Sequence, residues 1–208
     1  MNLNIETETK ETGTLLEKEL RDLKRRLKAT RKGRIEASKR LRKKNDFFEK
    51  VTYFYSLVVL ILSVWFLNKS GDHANTANKI LLVLSLSLTY FTMFISMKNY
   101  KERAGNFENN YQQLDVLNNK IDRFFASGNG LGLEKIKEFQ REYEKLIIGK
   151  ENHLNIDFYI STEDNKKTFN SDIMKINLKE KFMNVMIAIY PVLLLVMIYL
   201  FSLIIKKL

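Results

Sequence analysis

The chain has no cysteine, which excludes disulfides and thiolate metal sites. It has one proline, Pro191, so long helices are permitted almost everywhere. Charge is missing from three apolar blocks, residues 51–67, 80–97 and 182–205. With no Asp, Glu, Lys or Arg inside them, a proton-coupled transporter or pump is disfavoured. A cleavable signal peptide is not visible either: the first apolar block begins near residue 51, behind a long charged leader unlike an n-region.

What is present is segregated. Apolar residues gather in the three blocks and charge fills the rest, which is how a membrane protein reads. The formal net charge is +11, with the excess near the N-terminus. A basic excess points to nucleic acid, anionic lipid or topology setting. Here the cluster abuts an apolar block, which favours lipid and topology.

Residues 1–13 are polar and aperiodic and read as a mobile tail. From residue 14 the pattern is helical. Leu16, Leu20, Leu23 and Leu27 recur at i, i+4, i+7 and i+11, a coiled-coil-like stripe opposite a face of Lys, Arg and Glu. Gly33 weakens the middle of this 14–50 basic helix. The block 51–67 is near the lower length limit for a span of roughly 17 residues. It carries Tyr53 and Tyr55 at one end and Trp65 at the other, where aromatic belts belong. Residues 68–79 read as a polar turn and 80–97 as a second span, completing a transmembrane hairpin.

Beyond it, Tyr100, Ala104, Phe107, Tyr111, Leu114, Leu117, Ile121 and Phe125 keep a near-heptad rhythm. Gly128–Gly132 breaks it, and Leu133, Ile136, Phe139, Tyr143, Leu146 and Ile147 start another. Residues 98–148 therefore read as a helical hairpin outside the membrane. Residues 161–181 read as a linker with a polar loop at 161–170. The block 182–205 reads as a third span kinked at Pro191. Nine Lys and Arg precede the first span within 20 residues, against Lys69 and Lys79 in the first loop, so the N-terminus is expected in the cytoplasm.

Three stretches carry a family resemblance. They are the basic helix entering the first span (Ala37, Arg40, Leu41), the Arg103-Ala104 pair with Tyr111 and Leu114, and Glu151-Asn152-His153 with Asp157. Over roughly residues 15–160 the chain resembles the SLATT family, two-span effector domains associated with nucleotide-sensing modules in bacterial conflict systems. The resemblance implies a pore-forming or membrane-perturbing effector of antiphage defence. It also implies a nucleotide-signal sensor or a reverse transcriptase encoded nearby as partner. The third apolar block is a departure from the two-span pattern.

Two constellations stand out. In the second span Ser85, Thr89, Thr92 and Ser96 share a face, and in the first Thr52, Ser56 and Ser63 do the same. Such faces can line an aqueous pore in an oligomer, where hydroxyls replace part of an ion's hydration. They can equally serve helix packing. The basic arm supplies Arg31, Lys32, Arg34, Lys39, Arg40, Arg42, Lys43 and Lys44 as candidate contacts to anionic lipid, RNA or a nucleotide signal, or as a solvated topology-setting face. No base-stacking aromatics interleave with the arm, so specific nucleic-acid binding is not expected. Glu151-Asn152-His153 with Asp157 has too few ligands for a metal and reads as a polar cap tying the hairpin to its neighbours. Gly128–Gly132 lacks the ending and the preceding strand of a phosphate loop.

The expected protein is all-α and membrane-integral, with a transmembrane hairpin, a C-terminal third span and cytoplasmic amphipathic or coiled-coil helices. It lies in the bacterial inner membrane. No cofactor, metal or catalytic constellation is expected, and it is not read as an enzyme. The apolar seams outside the membrane are the expected contacts of a homo-oligomer, and the oligomer forms the pore. The alternative is a membrane scaffold that recruits a cytosolic partner through the helical hairpin.

Overall fold

Where proline is nearly absent and apolar residues recur at helical spacing, long helices follow. A computed structural model describes the backbone of residues 2–67, 72–128 and 131–205. It describes the side chains of residues 14–67, 75–128, 131–190, 192, 193 and 196. All regular structure among them is α-helical: α1 (Asn2–Phe66), α2 (Asp72–Met97), α3 (Tyr100–Ala126), α4 (Leu133–Ile147), α5 (Asn155–Tyr159), α6 (Glu163–Thr168) and α7 (Asn170–Ile205). The chain divides into two compact units. One is Met1–Arg40 with Glu102–Ile173, the other Leu41–Lys101 with Met174–Leu208.

The first unit is a helical bundle made by α1, α3 and α4. Its core joins Leu20, Leu23 and Leu27 of α1 to Leu114, Leu117 and Ile121 of α3 and to Phe139 and Tyr143 of α4. The direction of packing is fixed by polar pairs. Lys24 meets Asp122, Arg31 meets Asp115 at 3.0 Å, and the Ser38 hydroxyl donates to the Ala104 carbonyl at 2.9 Å. As numbers rise along α1 they fall along α3, so the two are antiparallel. Phe124 on Phe139 and Lys120 on Glu142 (2.6 Å) set α3 antiparallel to α4. The leucine stripe expected to join separate copies is thus filled by the chain's own α3 and α4. A heptad stripe specifies an apolar partner of matching rhythm, and the nearest one lies in the same chain.

Three further expectations change. α1 begins at Asn2, so residues 2–13 carry helical backbone where an irregular tail was expected. The polar loop expected at 161–170 contains α6, because Thr162 caps it by accepting from the Asn165 N–H. Glu163 and Asp164 in its first turn and Lys166 and Lys167 in its last suit the helix dipole. α2 starts at Asp72, inside the expected turn, while residues 68–71 lie outside those described.

In the second unit, two helices among the described residues are long and apolar enough to cross a membrane. Their apolar windows are only 6% and 17% buried within the chain, so these are not core helices of a soluble protein. Phe48 near the start of the first apolar segment stacks on Tyr100 and meets Phe91 edge-on, both at or near the far end of α2, as an antiparallel hairpin requires. α2 stops because Asn99 takes a left-handed conformation (φ 48°), which asparagine tolerates better than most residues. α7 runs helical through 182–205. Much of the expected third span falls on residues whose side chains lie outside those described. Tyr55 donates to the Ala188 carbonyl at 2.6 Å.

Leu117 is fully buried at the centre of the bundle and Val116 beside it is 61% exposed. Leu117→Ala should destabilise the bundle by about 2–5 kcal/mol. Val116→Ala should change it by less than about 0.5 kcal/mol. Thermal unfolding of the full chain in detergent reads both. Equal effects at the two positions would mean that the seam is not packed as described.

Candidate functional site

Two sets of side chains meet the chemistry expected of a site: the hydroxyls of the membrane helices and the charged groups of the bundle. Each begins with helix geometry.

In α2 the face that packs within the chain carries Ala77, Leu84 and Phe91, all buried. The hydroxyl stripe stands about 100° further round the helix, the angle of one residue. Thr89, Thr92 and Ser96 are exposed and Ser85 is half-buried. Their hydroxyls bond to their own helix: Ser85 to Leu82 (2.9 Å), Thr89 to Ser85 (2.9 Å) and Thr92 to Leu88 (2.8 Å). In α1 the less exposed face runs through Tyr55, Val59 and Leu62, while Ser56 and Ser63 are exposed and Thr52 is half-buried. Ser63 donates to the Val59 carbonyl at 2.8 Å. On each helix the hydroxyl stripe therefore stands about one residue's turn from its less exposed face. Back-bonding makes such a face cheap to leave in lipid. Among the described residues, Ser87, on the packed side, is the one buried hydroxyl without a partner.

The basic arm does not present a single face. Lys32, Lys39, Arg42 and Lys43 are exposed, and Lys39 pairs with Glu36 of its own helix at 2.8 Å. Others turn inward. Arg31 pairs with Asp115, Lys44 with Glu180 at 2.9 Å, and Arg40 with Asp157. Arg34 is 2% exposed. Helical periodicity favours this: Arg34 lies about 20° from Leu41, and Arg34 and Arg40 each lie about 60° from Ala37; Leu41 and Ala37 are both buried.

Arg40 and Asp157 form the strongest polar contact of the bundle. The guanidinium places Nε 2.8 Å from Oδ1 and Nη2 3.0 Å from Oδ2. Asp157 Oδ2 also accepts from the Leu154 N–H at 2.8 Å, at the start of α5. The carboxylate is fully buried and three donors converge on it, which is how a buried charge is made tolerable. Nearby Arg103 grips Glu151 through two nitrogens. That hydrogen bond holds the Glu151 carboxyl below the usual range, against partial desolvation. Its contribution is therefore present above the ordinary carboxylate pKa and is lost as pH falls through the depressed value. The polar cap read at Glu151-Asn152-His153 and Asp157 is thus a pair of clasps, from α1 to α5 and from α3 to the α4–α5 connection.

Two participants escaped the sequence reading. A Cβ on Gly33 would stand 2.7 Å from the His153 ring, so this glycine admits the imidazole against the α1 backbone. A glycine inside a strongly periodic basic helix is the signal that pointed to it. The other is the end of α4. Gly149 takes φ 68°, the left-handed stop that glycine supplies, and leaves the Leu146 carbonyl to side chains. Asn110 donates to that carbonyl at 2.7 Å and Arg34 at 3.4 Å. No group of three or more metal-ligating side chains occurs among the described residues.

The model of SLATT family 5, the SMODS and SLOG-associating 2TM effector domain, matches residues 16–205. The match runs past the resemblance seen over residues 15–160 and takes in the third apolar block, which is part of the family domain rather than a departure from it. No curated protein and no solved structure matches the chain.

Asp157→Asn leaves the Arg40 charge buried without its counter-charge and should cost about 3–5 kcal/mol. Glu151→Gln, at a pair 37% and 45% exposed, should cost less than about 1 kcal/mol. Chemical unfolding of the full chain in detergent compares the two. Parity between them would show that the Arg40 clasp is not the buried pair described.

Proposed function

From a chain that belongs to the SMODS and SLOG-associating 2TM effector domain family, we propose a membrane effector of bacterial antiphage defence that assembles into an oligomeric pore. The observation that supports this most is the stripe of back-bonded hydroxyls on α2, Ser85, Thr89 and Thr92, with Ser63 back-bonded on α1. Such a face can lie in lipid while the chain is alone. In a ring of copies the same hydroxyls can turn to water and ions without bringing a charge through the bilayer. A pair of spans encloses no channel, so the ring is required.

In this reading the protein sits in the bacterial inner membrane with its N-terminus in the cytoplasm, as its flanking Lys and Arg favour. A nucleotide-signal sensor or a reverse transcriptase encoded nearby supplies the trigger. α1 is one helix from Asn2 to Phe66. A turn of its bundle segment about the helix axis therefore also turns Ser56 and Ser63. Growth arrest follows from loss of the membrane potential. The scaffold reading loses ground, because the apolar seam that would recruit a partner is filled within the chain.

The deciding experiment measures membrane potential and dye entry in bacteria that express the chain alone and with its genomic neighbours. Rapid depolarisation is expected once the trigger is present. Replacing Ser85, Thr89, Thr92 and Ser96 by Ala or Val should abolish most of it at unchanged membrane level and assembly. A polarised, sealed membrane under every condition would end the pore reading.

A further inference from the structure

Arg34 is a buried cation that lacks a counter-ion among the described residues. It is 2% exposed, and among the described residues no carboxylate pairs with it. Its one hydrogen bond is the long Nη1 contact to Leu146, and its Nε has no partner at all. Burial pulls its affinity for the proton down, yet an arginine stays charged in proteins. The open end of α4 offers part of the compensation, roughly half a negative charge from the helix dipole. The remainder is unaccounted for, and a buried charge without compensation is costly.

Beside Arg34 lies a cavity of about 200 Å³. It is lined from α3 by Arg103, Asn106 and Asn110, and from the α4–α5 connection by Lys150 and Glu151. Asn110 spends its amide nitrogen on Leu146 and leaves its Oδ1 buried and unpaired. The cavity is lined by three cations, Arg34, Arg103 and Lys150, against one carboxylate, Glu151. A water in the cavity would leave the charge uncompensated.

We propose that this cavity is an anion site that takes one phosphate group, with Arg34 as its innermost ligand. An oxyanion accepts from the Arg34 guanidinium and supplies the missing charge. The volume is below the roughly 300–1,000 Å³ of pockets that enclose a whole small molecule. A single phosphoryl group enters and the rest of its carrier stays outside. Its carrier is either a soluble phosphate compound or a lipid headgroup, and the chemistry at Arg34 is the same. The occupant would tie α1 to α3 and to the end of α4. The site stands independently of the pore reading.

The test uses the full chain in zwitterionic detergent, titrated with inorganic phosphate against chloride at constant ionic strength, and read by thermal unfolding and by calorimetry. Saturable stabilisation by phosphate is expected. Arg34→Met should weaken it by about tenfold or more, while Lys18→Met, an exposed cation outside the cavity, should leave it unchanged. Glu151→Gln removes the carboxylate at the cavity and should tighten phosphate binding. That sign is not expected of a merely structural residue, and it keeps the test decisive if Arg34→Met fails to fold. A second arm places the chain in bilayers of phosphatidylcholine with and without phosphatidic acid. Stabilisation by phosphatidic acid alone, sensitive to the same variants, assigns the site to a headgroup. Absence of saturable stabilisation in both arms, or equal binding by Arg34→Met and the parent, would overturn the site and leave Arg34 as a cap on α4.

Discussion

The structure depends on a constraint carried by α1. One helix must be soluble in water along its first part and in hydrocarbon along its last. The first requirement puts Lys, Arg and Glu on most of the surface and leaves one apolar stripe, Leu20, Leu23 and Leu27, that must be covered. The second removes charge entirely from residue 51 onward and lets large apolar side chains stand exposed. Everything else answers one half of this demand. α3 and α4 cover the stripe. α2 offers Phe91 to the membrane half, and α7 a carbonyl to Tyr55.

That division explains which features could be read from the sequence. Apolar blocks and helical rhythm are local properties, so the two spans, the helical hairpin with its break at Gly128–Gly132 and the capping cluster around Asp157 were legible. The partner of a stripe is not a local property. Leu20, Leu23 and Leu27 have the same spacing whether they meet a second copy or Leu114 and Leu117 of their own chain, and only the structure distinguishes the two. The hydroxyl residues were likewise legible as faces, whereas their exposure depends on which neighbouring face wins the packing. Residues 161–170 misled by composition, although Thr162 followed by Glu163 and Asp164, with Lys166 and Lys167 behind, spells a short capped helix.

The basic arm shows how far net charge can mislead about a surface. Eight cations in one run suggest a single electrostatic feature. Folding sorts them by angle: some stay in solvent, while Arg31, Arg40 and Lys44 find carboxylates and Arg34 is drawn into the bundle. A long side chain on a helix can serve either role, because its stem packs as well as a leucine while its head seeks a partner. The charge left facing outward is therefore smaller than the run implies, and any attraction to anionic lipid falls to Lys32, Lys39, Arg42 and Lys43.

The buried polar contacts also do something the leucines cannot. A heptad stripe remains reasonably satisfied if one helix slides past another by a turn, because another leucine arrives at the same place. A guanidinium fork on a carboxylate does not survive such a slide, and neither does an imidazole set against a glycine. Arg40 on Asp157, Ser38 on the Ala104 carbonyl and His153 over Gly33 therefore fix the register of the bundle, while the leucines supply most of its stability. All three fall within two turns of α1, between Gly33 and Arg40, just before the helix passes to its charge-free half. Any ligand or partner that acts on this stretch works against the contacts that hold register, and need not break the apolar core to change how α1 is held.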